Sequence, residues 1–174
     1  MNWTELIRGN IEYAYASTQK LLELVDDDSL GWKPSTGSNW MTVGQLVKHL
    51  TDACGAPCKG FVTGDWGFPE GMDASNIPED QMLPPAESLP SIQSVADAKK
   101  LLAQDRQLAL AMLEQAGEEN LENKIATAPW DQMQMKLGQR MLQMVGHLIQ
   151  HKGQLYYYLK LQGKPVNTMH LWGM

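Results

Sequence analysis

Between residues 137 and 158 the apolar positions Leu137, Met141, Met144, Leu148, Leu155 and Tyr158 return at steps of four and three, with one gap, filled by His151. A seam of this period describes a helix that packs one face into a protein core. It also puts an imidazole in a core slot. His147 precedes His151 by four residues, a little over one helical turn and about 6 Å of rise, so both rings leave the same face and can converge on one ion. Buried ring nitrogens need partners, and two imidazoles side by side satisfy each other poorly. A divalent cation bridging them meets both needs. The chain must then supply a helical core and at least one further ligand from another element.

The rest of the sequence agrees with a helical core. Glycine and proline gather between the periodic stretches, few runs alternate with a strand's period of two, and no internal repeat is visible, so the expected class is all-α. At 174 residues the expectation is one domain spanning 1–174. Helix one is expected over 3–25, ending at the acidic run Asp26, Asp27, Asp28, and 29–41 reads as an ordered loop pinned by Trp32 and Trp40. The Thr42, Val43, Gly44, Gln45 run matches a capping box that opens helix two, whose inner face is Val43, Leu46, Leu50, Ala53 and Phe61. Pro57 cannot donate to Ala53, so this helix should kink below His49 or end early.

Residues 63–92 read as a long loop rich in proline. Such a length suits a crossover that climbs the bundle, so helices two and three should run parallel in a four-helix bundle ordered up-down-down-up. Helix three opens at Ser94 and Val95 and closes at Gly117, residues 118–136 form a second loop, and helix four runs over 137–162 to Gly163 and Pro165. The tail should pack back through Leu171 and Trp172.

A net charge of −6 offers no basic footprint for nucleic acid or anionic lipid. With no apolar run long enough to span a bilayer and no secretory leader pattern, the chain is expected to be cytoplasmic. Cys54 and Cys58 lie four apart on a helical stretch, where β-carbons stand about 5–6 Å apart, beyond disulfide reach. They are expected to be buried free thiols.

His49 lies three residues after Leu46 and four before Ala53, on the inner face of helix two. With His147 and His151 it makes a three-histidine set for a divalent metal, if helices two and four face each other. Neutral imidazole suits zinc or nickel, with iron also open, and three protein ligands leave a position for water or substrate. Asp52 and Gln154, each one turn from a histidine, are candidate hydrogen-bond partners that would fix the ring tautomers. His170, in the tail, is read as a surface residue. The residue after His147 is Leu148 instead of glutamate, which removes the general base of a zinc-protease mechanism.

These stretches, 42–50 and 144–154, with the stop Gly163, Lys164, Pro165 and the terminal Leu171, Trp172, Gly173, resemble the DinB/YfiT-like superfamily over nearly the whole chain. The resemblance implies a four-helix bundle, a three-histidine metal site at His49, His147 and His151, frequent homodimers, and relatives that include thiol-dependent transferases and isomerases. Two functions follow as expectations. One is a metal-dependent enzyme, of S-transferase or hydrolase type, acting on a small molecule such as a low-molecular-weight thiol. The other is a non-catalytic metal-binding or stress-response module in which the ion stabilises the bundle.

Overall fold

Asn2 caps the first helix, α1 (Trp3–Leu22), in the computed structural model, which describes residues 2–68 and 84–174. Its side-chain oxygen accepts from the Glu5 N–H at 2.9 Å, satisfying one of the helix's free donors. The helix stops at Leu22, one turn before the expected end at residue 25, and Val25 is still buried. A short 3-10 turn, Asp27–Ser29, leads into the tryptophan loop. Both tryptophans meet one tyrosine: the rings of Trp32 and Trp40 lie 5.5 and 6.2 Å from that of Tyr158.

The capping box at Thr42 forms as its residues dictate, with Gln45 Oε1 2.7 Å from the Thr42 N–H and Thr42 Oγ1 3.2 Å from that of Gln45. It starts α2 (Val43–Leu50), where Val43, Leu46, Val47 and Leu50 are fully buried. The helix ends there, and the chain restarts as α3 (Gly55–Thr63). The interruption lies at residues 51–54, upstream of Pro57. Proline then occupies the third position of α3, in a first turn whose N–H groups have no intrahelical acceptor, so its missing donor costs nothing there.

Of the long loop expected over 63–92, residues 69–83 lie outside those described. A 3-10 turn at Ala86–Ser88 precedes α4 (Val95–Asn123), opened by Ser94 accepting from the Asp97 N–H. Gly117 does break the helical path, with φ 68°, but a further turn continues to Asn123.

The region expected as a second loop, 118–136, is therefore corrected. Beyond Asn123 it forms an antiparallel hairpin of β1 (Ile125–Ala128) and β2 (Asp131–Lys136), so the class is mainly helical rather than purely all-α. Alternation over only four residues, Ala126 and Ala128 inward and Ile125 and Thr127 outward, is too short a signal to stand out in the sequence. Arg140 of α5 (Leu137–Leu161) pins the hairpin. Its fully buried guanidinium binds both Asp131 oxygens, at 2.6 and 2.9 Å, and the carbonyls of Ala126 and Met133.

The apolar seam of α5 is buried throughout, from Leu137 to Tyr158. Full burial of each such side chain contributes about 1.5–3 kcal/mol. In the tail, α6 (Thr168–Trp172) returns to α1, where Leu171 packs on the core and Trp172 meets the Tyr13 ring at 6.4 Å. No helix among the described residues is long and apolar enough to cross a membrane.

Candidate metal centre

Two helices bring the centre together. His49 comes from the last turn of α2, and His147 and His151 from the middle of α5. Their Nε2 atoms form a triangle: 3.3 Å from His49 to His147, 3.1 Å from His49 to His151, and 2.9 Å between His147 and His151. All three rings are half-buried.

The opposite ring nitrogens set the tautomers of two of these rings. His147 Nδ1 lies 3.0 Å from the Ala53 carbonyl oxygen, and His151 Nδ1 lies 2.7 Å from Gln154 Oε1. Each of those oxygens can only accept, so both rings carry their proton on Nδ1 and turn a lone pair inward at Nε2. Two lone pairs 2.9 Å apart repel unless something positive stands between them. A proton on His49 Nε2 leaves that pair facing each other. Tetrahedral bonds of about 2.05 Å from an ion would set ligand nitrogens about 3.3 Å apart, close to the spacing observed.

Electrostatics favour the neutral rings that a metal requires. Burial, then the charges of His147 and Lys48, lowers the pKa of His49 to about 4. His151 is lowered to about 4 as well, first by burial and then by His49, against the opposing bond from Gln154. Both rings are thus neutral at neutral pH, the state in which an imidazole can donate to an ion.

The other candidate residues fall into place around this group. Gln154 touches the centre as the spacing predicts. Asp52 is turned mainly toward Lys48, at 2.5 Å, and its nearer approach to His49 Nδ1 is 3.9 Å, too long for a direct hydrogen bond. His170 binds within α6, its Nδ1 3.0 Å from Asn167 Oδ1, away from the histidine triangle. Cys54 and Cys58 are buried free thiols. Among the described residues no fourth histidine, cysteine or carboxylate joins the cluster.

Sequence reasoning missed the Ala53 carbonyl, because a backbone acceptor leaves no mark in residue type. The one available sign was Pro57, which leaves that carbonyl without its helical donor.

Fold and cluster define a helical protein with a three-histidine centre set between two helices. The chain belongs to the DinB superfamily, whose family model matches residues 10–155 and so takes in all three histidines. Comparison with the curated proteins and with the solved structures finds no match.

Proposed function

We propose that this chain binds one divalent metal ion through His49, His147 and His151, and uses the open side of that site to act on a small molecule, by S-transfer to or from a thiol or by hydrolysis. The observation that carries the reading is the triangle of inward Nε2 atoms, two of them with lone pairs set by Ala53 and Gln154, without a fourth protein donor among the described residues. Zinc or nickel suits three neutral imidazoles, and iron is compatible with them. A bound cation there supplies Lewis-acid chemistry, bringing the pKa of a coordinated water toward neutrality or ionising a coordinated thiol. The chain's own part is to hold the three nitrogens and to keep His147 and His151 in the donating tautomer through Ala53 and Gln154.

The bundle order up-down-down-up belongs to the same reading, since it sets α2 against α5. Paired contacts support it. Tyr15 meets Asp105 while Trp3 meets Glu118, as expected for α1 and α4 running in opposite directions. Gly44 meets Ile92 while Gly55 meets Asp105, as expected for α2 and α3 running alongside α4 in the same direction. Met41 meets Tyr158 while Ala53 meets His147, as expected for α5 running against that direction.

Metal analysis of protein purified without an affinity tag, followed by thiol-transfer and hydrolysis screens of the metal-loaded form, tests the function. Protein that takes up no divalent ion after chelation and reloading would sink it. Stoichiometric binding that raises the melting temperature, without turnover in either screen, would leave a non-catalytic metal-binding module instead.

A further inference from the structure

We propose that Asp105, on α4, is a positioning residue for the three-histidine centre, acting through the first turn of α3 and the carbonyl of Ala53. The inference rests on the metal-binding reading and deepens it. Asp105 touches none of the three rings. It lies in the middle of its helix and is 5 % exposed. A carboxylate at that depth is sustained only by donors that fill its lone pairs. Here Oδ2 accepts from the Tyr15 hydroxyl at 2.6 Å and from the N–H groups of Gly55 and Cys54 at 3.0 and 3.4 Å, and Oδ1 accepts from the Ala56 N–H at 2.9 Å. Three of those donors belong to the start of α3, the end of a helix where N–H groups are free and the dipole favours negative charge.

The approach of the two helices is tight. A Cβ at Gly55 would stand 2.2 Å from the Asp105 carbonyl oxygen, so a side chain there would push α3 away. Asp105 therefore anchors the restart of the helix, and with it the backbone of residues 53 and 54. In an unbroken helix the Ala53 carbonyl would accept from the N–H of residue 57, but that residue is Pro57 and has none. The carbonyl is left for His147 Nδ1, at 3.0 Å. That bond decides which ring nitrogen carries the proton and aims Nε2 at the other two histidines. His49 lies in the last turn of α2, just before the same break, so one buried carboxylate braces both sides of the centre.

The test uses the full-length protein and Asp105→Asn, which keeps the side chain's shape but offers a single acceptor oxygen to four donors. Zinc affinity, measured by competition with a chromogenic chelator, is expected to fall about 10–100-fold, the range found when a ligand's supporting partner is lost. Long-range proton–nitrogen spectra of the metal-free protein supply a second readout. Wild type should show His147 protonated on Nδ1, and Asp105→Asn a mixture of tautomers. Leu113→Ala, which opens a cavity in the same helix two turns further on, should lower the melting temperature while leaving zinc affinity and the tautomer as in wild type.

Asp105→Asn with wild-type affinity and an unchanged His147 tautomer overturns the proposal. So does an equal loss of affinity in Leu113→Ala, which would mark a general effect of instability. If Asp105→Asn does not fold, Tyr15→Phe removes one donor and no backbone contact. It should give a few-fold loss in the same assay, and wild-type affinity with an unchanged tautomer there also overturns the proposal. Failure of the wild-type chain to bind zinc would sink the metal reading separately, since the metal-free tautomer still reports on Asp105.

Discussion

Gln154 Oε1 stands 2.7 Å from His151 Nδ1, one turn along the same helix, and holds that ring with its lone pair turned toward His49 and His147. Gln154 is itself exposed, so its loss disturbs little of the core. Gln154→Leu should lower metal affinity by about 10–100-fold while the melting temperature of the metal-free protein hardly moves. Asp52→Asn should cost less, because that carboxylate is 3.9 Å from His49 and engaged by Lys48. A larger effect from Asp52 than from Gln154, in calorimetric zinc titrations, would reverse this assignment of partners.

Removing any one of His49, His147 or His151 by alanine substitution should cut metal content sharply, since two imidazoles hold an ion far less well than three. His170→Ala should retain it, because that ring is occupied within α6. Elemental analysis after reloading decides the matter. Full metal retention in His49→Ala would remove α2 from the site.

The depressed histidine pKa values set a pH window. Burial holds His49 and His151 at about 4, below their ordinary 6.5. Between these values the unfolded chain binds protons that the folded chain does not, so stability rises with pH across the window. It is fully present above about 6.5 and is lost as pH falls toward 4. The double variant His49→Leu, His151→Leu should flatten the melting temperature of the metal-free protein between pH about 4.5 and 6.5. The same protons compete with metal, so zinc should raise the wild-type melting temperature more at pH about 7.5 than at 5.5. Parallel pH curves for wild type and double variant would dissociate the rings from the acid response.

Arg140 is fully buried and holds the hairpin to α5 through Asp131, which is 32 % exposed. Loss of its side chain should destabilise the protein by roughly 3 kcal/mol, the lower end for a buried ion pair, because the partner carboxylate can still reach water. Urea unfolding of Arg140→Met measures this. Hydrogen exchange should show the loss of protection concentrated in residues 125–136, and an even loss across the chain would argue that the arginine serves the whole core.

The helical faces were legible from residue order because their causes are local. The capping box at Thr42, the seam of α5 and the shared face of His147 and His151 depend on spacings of three and four residues, which the geometry of a single helix sets. Pro57 likewise announces, without any structure, that the Ala53 carbonyl lacks its helical donor. The tertiary structure decided where that carbonyl turned, and of the two outcomes that Pro57 allowed, a kink or an early end, it decided that α2 ends at Leu50. It also decided that 125–136 fold as a hairpin on Arg140 and that Asp52 answers to Lys48 more than to His49. Each of these outcomes rests on a donor, an acceptor or a charge whose partner depends on side-chain packing or on a contact far along the chain. Asp105 and the amides of residues 54–56 are some fifty positions apart in the chain and meet only once α3 and α4 have packed. Residue periodicity says which face a side chain takes, and the packing register alone says what that face will meet.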